Sequence, residues 1–300
     1  MYDIVIVGAG PAGLTAAIYA RRAGKTVLVL EKDTFGGQIT FSPKLENYPG
    51  FSEISGNALA EKMLEQAMAL GAEVDMDTVT AIEDGSPKTV VGERRRYKAR
   101  AVILATGARH RRLNLPREED FIGNGLSFCA VCDGAFYAGQ HVAVIGGGNT
   151  ALQEIALLSE ICRQVTVVQN LAFLTGEQQM IEGLQEKHNI DYCFNTVVTG
   201  YEGQDVLTGL VLRNTQTGEE SRLSVDGAFL AIGTAPENEA FSSLVALDSF
   251  GYICAGEDGR TNVPGVFAAG DCRTKAYRQA VTAVADGAAA ALNACKILDA

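Results

Sequence analysis

One pattern occurs twice in these 300 residues and limits what the chain can become. A short β-branched run is followed by a glycine-rich turn, an apolar helix and a second β-branched run. In the first copy, residues 2–7 (YDIVIV) predict a buried strand, followed by the turn Gly8-Ala9-Gly10-Pro11-Ala12-Gly13. Residues 14–23 predict a helix ended by Gly24, and residues 26–30 (TVLVL) a second strand. In the second copy, residues 141–145 (HVAVI) lead into Gly146-Gly147-Gly148-Asn149-Thr150-Ala151, a helix over 151–161 and a strand over 165–168. Two βαβ openings predict an α/β chain of two Rossmann-like, three-layer domains. Residues 102–107 (VILATG) and 228–236 (AFLAIGTAP) read as the strand and turn that end each unit. Residues 276–294 read as a last helix. The expected division is discontinuous: 1–113 with 245–300 in one domain, and 114–244 as a second domain inserted into it.

The first turn carries specific chemistry. Gly8 permits the tight turn, Gly10 lets the backbone approach a pyrophosphate, and Gly13 allows close helix–strand packing. The helix N-terminus offers free N–H groups to the phosphates. Glu31, 23 residues after Gly8, can accept hydrogen bonds from a ribose diol, which suits FAD or NAD and not NADP. Gly36-Gly37-Gln38 fits a place where backbone passes a flat ring. Asp271, after Gly270, can hold a ribityl chain. Arg278-Gln279-Ala280 would put a helix dipole beside the N1–C2=O edge of a reduced flavin. Together these favour FAD in the first site.

Charge and cysteines narrow the class. Net charge is −11, which argues against a general nucleic-acid binder. Residues 88–117 nevertheless hold ten Lys/Arg against Glu93 alone, a local +9, so the rest of the chain carries −20. No run of 18 apolar residues is free of charge, and Asp3 interrupts any basic leader. The expectation is a cytoplasmic protein without a membrane span. Of seven cysteines, only Cys129 and Cys132 are close in sequence, as Cys129-Ala130-Val131-Cys132-Asp133. A zinc site would need further ligands, and His110, His141 and His188 are isolated, so no metal is expected. An inert core pair and a structural disulfide are the other plain readings. A redox dithiol beside a flavin is favoured, with Asp133 placed to move the proton that thiol–disulfide exchange requires.

These residues together resemble the low-molecular-weight, bacterial-type thioredoxin reductases. The resemblance runs end to end: Gly8–Gly13, Gly36-Gly37-Gln38, Glu46-Asn47-Tyr48-Pro49-Gly50, Ala105-Thr106-Gly107, Cys129–Asp133, Gly146–Ala151, Gly270-Asp271 and Arg278-Gln279-Ala280. It implies a homodimeric FAD enzyme whose flavin passes electrons to the cysteine pair and on to thioredoxin, its two domains rotating between the two tasks. It also extends the candidate flavin residues beyond Gly8, Gly10, Pro11, Ala12, Gly13 and Glu31 to Lys32, Asn47 and Val79.

The second turn departs from that family pattern. NADPH-using members carry His-Arg-Arg, with another Arg close behind, where this chain reads Gln169-Asn170-Leu171 and on to Thr175. No Arg or Lys occurs from Val165 to Glu186, and no acid stands at 169. At roughly 1.5–3 kcal/mol per charge-assisted hydrogen bond, losing two weakens NADPH binding by about 10²- to 10⁴-fold. Phosphate contacts from elsewhere in the fold would be the plain alternative. The sequence resembles the branch in which reduced ferredoxin feeds the flavin. Ferredoxin near about −400 mV and thioredoxin near about −270 mV leave roughly 6 kcal/mol downhill for two electrons. Arg94, Arg95, Arg96, Lys98, Arg100, Arg109, Arg111, Arg112 and Arg117 would give an acidic ferredoxin a docking surface. Three classes stay open: a ferredoxin-driven thioredoxin reductase, an NAD(P)H-driven disulfide reductase, and a non-enzymatic redox sensor.

Overall fold

A computed structural model describes residues 1–42 and 44–300. The chain divides into two compact units, Met1–Arg109 with Ala235–Ala300, and His110–Thr234. The crossings thus fall at 109/110 and 234/235, so residues 110–113 and 235–244 each lie with the opposite unit from the one expected.

The first unit is built on a seven-stranded sheet. Its parallel part runs in the order Glu73–Met76, Val27–Glu31, Tyr2–Val7, Arg96–Leu104. Ile4, Val5 and Ile6 are fully buried because helices or loops cover both faces of a parallel sheet. The strand expected to begin at 102, before the turn that closes 102–107, begins earlier and is Arg96–Leu104. Its first half pairs antiparallel with Lys88–Gly92, and its second half pairs in parallel with Val266–Ala268. Ala105-Thr106-Gly107 is the turn that follows it, as expected.

The first helix starts at Pro11, three residues before the expected 14, because proline at the first helical position needs no N–H partner. The last helix is Ala280–Leu298, not 276–294. Gln279 caps it reciprocally with Thr282, so Arg278 and Gln279 precede the helix. By length and composition this helix could cross a membrane. Here it lies against the Pro11 helix: a Cβ on Gly287 would stand 2.1 Å from the Ala12 carbonyl oxygen, so only glycine allows the approach. Its buried Asp286 is held by Arg273 (2.7 Å) and Lys275 (2.9 Å) and accepts the Gly270 N–H.

The second unit has a five-stranded parallel sheet in the order Ile190–Cys193, Gln164–Val168, His141–Ile145, Gly227–Leu230, Leu126–Ser127. Thr196–Gly203, Leu207–Asn214 and Glu220–Ser224 add a three-stranded antiparallel sheet. The helix Asn149–Ile161 begins two residues earlier than expected.

Candidate functional site

The two glycine turns are hydrogen-bonded alike. Gly8 donates to the Leu30 carbonyl and Gly146 to that of Val168, at 2.8 and 2.9 Å. Ala105 donates to Val7 and Ala231 to Ile145, at 2.8 and 2.9 Å. A Cβ on Gly8 would lie 2.3 Å from the Ala105 oxygen, and one on Gly146 would lie 2.5 Å from that of Ala231. Each turn is thus wedged against the end of a neighbouring strand, where open α/β sheets bind their ligands.

The first turn has room and a charge for a dinucleotide. Above Gly10 the nearest atom to a Cβ would be the Gly36 carbonyl oxygen at 3.9 Å, and the Pro11 helix has no side-chain cap over its N–H groups. Glu31 is buried. Its Oε2 accepts from Ala9 (2.7 Å) and its Oε1 from Lys32 and Asp33 (2.9 Å each), which fixes an acceptor beside the turn. Gly36 donates to the Ala9 carbonyl (2.8 Å) and brings Gly37 and Gln38 to the same loop. Thr106 bonds Asn238 (2.8 Å). Gly270, with φ +80°, packs on Ala12. Next to it, the Asp271 Oδ1 is buried with no hydrogen-bond partner. Burial pushes that carboxyl up to about 6, against the cations Lys275 and Arg278. Arg278 stacks over Tyr252 at 4.0 Å and donates to the Asp271 carbonyl. An orphaned carboxylate oxygen together with the uncapped N–H groups of the Pro11 helix fits FAD, whose ribityl hydroxyls would satisfy the first and whose pyrophosphate the second.

Other candidates sit less directly at this loop. Lys32 is ion-paired with Glu237 (2.6 Å). Val79 opens the strand Val79–Glu83 and packs against the core on the sheet's other side. Asn47 is exposed in the loop bridged at Leu45 and Ile54.

The second turn has the same frame and different chemistry. Gln169, 5% exposed, lies against Gly147 and spends its amide locally. Its Nε2 donates to the Phe173 carbonyl and its Oε1 accepts the Asn170 N–H, both at 3.1 Å. Thr175 bonds the Gly147 carbonyl (2.7 Å). Glu177 accepts from the Asn149 side chain (3.4 Å) at the start of the Asn149 helix, so the charge beside this turn is negative. Leu171 and Phe173 are exposed.

Cys129 and Cys132 form a disulfide, with Cα atoms 5.3 Å apart. Cys129 caps the short helix Ala130–Asp133, and its Sγ accepts the Cys132 N–H (3.2 Å). Ser127 Oγ accepts from Cys129 N (3.1 Å) and donates to Asp133 Oδ2 (2.5 Å). Asp133 Oδ1 is buried without a partner, and burial pushes the carboxyl up despite the Ser127 bond. A carboxyl whose burial favours its protonated form, next to a disulfide, is placed to hand a proton to a departing thiolate. Val131, between the cysteines, is 60% exposed, which leaves the pair open to a partner. Among the described residues no group of three or more metal-ligating side chains occurs.

Ser127 was not singled out from the sequence. Its only signal is a hydroxyl two residues before the pair. The cation-rich stretch also differs from expectation. Lys88, Arg95, Arg96, Arg100, Arg109, Arg112 and Arg117 each face a carboxylate; Arg109, for one, bonds both Asp33 and Glu237. Arg94 donates to the Met76 carbonyl. Most of the expected docking charge is therefore neutralised within the chain.

The pyridine nucleotide-disulphide oxidoreductase family matches residues 2–287, and the chain belongs to it. Within that family its homologues are low-molecular-weight thioredoxin reductases, which are FAD flavoproteins. It is 42% identical over 301 residues to a thioredoxin reductase of Listeria monocytogenes, covering 100% of this chain and 94% of that one. It is 40% identical to a 34.2 kDa protein in a rubredoxin operon of Clostridium pasteurianum, covering 99% and 97%. The solved thioredoxin reductase of Streptococcus pyogenes matches with a TM-score of 0.95 at 38% identity, covering 100% and 98%.

Proposed function

We propose that the chain is a homodimeric FAD-dependent thioredoxin reductase that takes its electrons from ferredoxin in place of NADPH. FAD held at the first turn would supply two-electron redox chemistry, and the Cys129–Cys132 disulfide would be its acceptor. The chain's own residues do the rest. Gly8–Gly13 and the Pro11 helix would hold the pyrophosphate, Glu31 the adenosine ribose and Asp271 the ribityl chain. The cysteine pair reduces thioredoxin, and Asp133 moves the proton.

The observation that carries the donor is the second turn. It offers no cation to a 2′-phosphate, its Gln169 is self-paired, and Glu177 adds a negative charge where a dinucleotide phosphate would lie. The intact hydrogen-bond frame of the same turn favours a second reading, in which NAD(P)H still binds there. Anaerobic titration of the flavin with NADPH, NADH and reduced ferredoxin separates the two. Stoichiometric bleaching by ferredoxin alone is the expected result, and bleaching by micromolar NADPH within seconds overturns it.

Asp271→Ala should release most of the flavin, lowering bound FAD per chain by about tenfold or more through loss of a charged acceptor. Absorbance after desalting measures this. An Ala variant that stays fully loaded removes Asp271 from the site.

Asp133→Asn should slow thioredoxin reduction by about 10²-fold or more, the usual worth of a positioned acid–base. The pH sign follows from burial, which raises Asp133, so it keeps its proton to higher pH than a solvated aspartate does. Parent activity should fall as pH rises through that raised value, and the Asn variant should lack that limb. A pH–rate profile of both proteins checks it.

A further inference from the structure

One hydroxyl ties the acid of the redox site to the cysteine pair. Ser127 ends the short strand Leu126–Ser127 and is buried. Its Oγ accepts the Cys129 N–H (3.1 Å) and donates to Asp133 Oδ2 (2.5 Å). A serine hydroxyl has a single hydrogen to give. With that hydrogen committed to Oδ2, Asp133 Oδ1 is left buried and without a partner among the described residues. The two oxygens of this carboxyl are therefore unequal. Charged or titratable side chains on the elements packed against the redox helix are Tyr137, Glu154 and Glu160. Glu160 is paired with Lys187. Burial pushes Tyr137 up to about 12 and Glu154 up to about 8, so both are neutral near pH 7. Burial raises the Asp133 carboxyl as well, and the Ser127 bond pulls the other way.

We propose that Ser127 is a positioning residue for thiol–disulfide exchange: its hydroxyl holds Asp133 by Oδ2 against the Cys129 backbone, so that the proton is carried and given up at Oδ1. This rests on the reading that the pair reduces thioredoxin. In that step one cysteine thiolate attacks the thioredoxin disulfide, whose S–S bond breaks. The leaving thioredoxin thiolate takes the proton from Oδ1. Asp133 is now a carboxylate, and the hydrogen bond from Ser127 becomes charge-assisted and stronger. The second cysteine returns its proton to Oδ1 and attacks the mixed disulfide. The Cys129–Cys132 bond forms, the second thioredoxin thiolate leaves, and two electrons have passed to thioredoxin. Ser127 thus stabilises the ionised form of Asp133 that each turnover passes through. Without the hydroxyl the carboxyl loses its orientation and gives up its proton less readily.

The test needs no physiological electron donor. Holoenzyme reduced with dithiothreitol and desalted anaerobically is mixed with oxidised thioredoxin, and one turnover is followed across pH. Ser127→Ala should be about ten- to a hundredfold slower near pH 7, the worth of one charge-assisted hydrogen bond. Its alkaline limb should move to higher pH by about one unit, because loss of the donor disfavours the carboxylate. Ser127→Thr, which keeps the hydroxyl, should restore both rate and limb. In an Asp133→Asn background, which keeps any limb that Glu154 adds, Ser127→Ala should slow the reaction little further, since the group it positions has lost its proton chemistry. A slow Ala variant with an unmoved limb, full additivity with Asp133→Asn, or an Ala variant at the parental rate overturns the proposal. Should Ser127→Ala fail to fold, infrared spectra of the parent holoenzyme decide. The protonated Asp133 carbonyl band, identified by its loss in Asp133→Asn, should lie at the frequency of a hydrogen-bonded carbonyl, because the C=O is then Oδ2. A band at the free-carbonyl frequency, or none at acid pH, refutes the role. A parent that leaves thioredoxin oxidised refutes the wider reading as well. An active parent with an unmoved limb in the Ala variant removes Ser127 alone.

Discussion

Replacing Cys129 or Cys132 by serine should abolish thioredoxin reduction and leave about one FAD on each chain. A hydroxyl cannot form or exchange a disulfide, so neither single variant can complete the two-step transfer. The loss should be at least about 10³-fold, as for other residues that act as a unit. FAD retention follows from where the proposed FAD contacts originate. The first turn, Glu31, the Ala105–Gly107 turn and Asp271 all belong to the unit Met1–Arg109 with Ala235–Ala300. The pair belongs to His110–Thr234, on a four-residue helix held by Ser127 and packed on the Asn149 helix. Serine is close in size to cysteine and keeps a weak acceptor for the Cys132 N–H, so the helix should persist. Visible absorbance measures FAD, and a thioredoxin-coupled assay with a chemical reductant measures turnover. A single variant that works at the parental rate would falsify the assignment. Loss of flavin together with activity would mean that the two units do not behave separately.

What could be read in advance follows from how local each feature is. The βαβ openings were legible because strand, turn and helix lie within 30 residues and each has its own signal. The strand Arg96–Leu104 was half legible. Its end, Ala101–Leu104, is fully buried and reads as an apolar run. Its start, Arg96–Arg100, alternates polar and apolar because it pairs with the Lys88–Gly92 hairpin and faces solvent on one side. Alternation carrying three cations was read as a charged surface. The same error enlarged the docking patch, since the carboxylates that neutralise those cations are mostly remote in sequence, Asp3 for Arg100 and Glu237 for Arg109. Ser127 matters through partners that only folding supplies, Asp133 and the Cys129 N–H.

On the proposed reading of the donor, giving the second turn the cations it lacks should create NADPH use. By the resemblance, Asn170 and Leu171 stand where NADPH-using members carry paired arginines, and both are exposed, so Asn170→Arg with Leu171→Arg should fold. The backbone there is already fixed. Asn170 donates to Gln169, and the Leu171 carbonyl accepts from Asn195 at 2.9 Å. The Gly146–Gly148 frame matches the FAD turn bond for bond. Charge is therefore the missing ingredient. Two new charge-assisted hydrogen bonds at roughly 1.5–3 kcal/mol each should tighten NADPH by about 10²- to 10⁴-fold. Glu177→Gln should add a further, smaller gain by removing the carboxylate beside the Asn149 helix, and that part should shrink at high salt. NADH, without the 2′-phosphate, should improve little, and reduced ferredoxin should act as before. Anaerobic flavin bleaching by each donor reads all three. If the double variant leaves NADPH as poor a reductant as in the parent, cations are not what this turn lacks. If instead the parent is already bleached by micromolar NADPH, phosphate contacts come from elsewhere in the fold, and this chain works like its pyridine-nucleotide relatives.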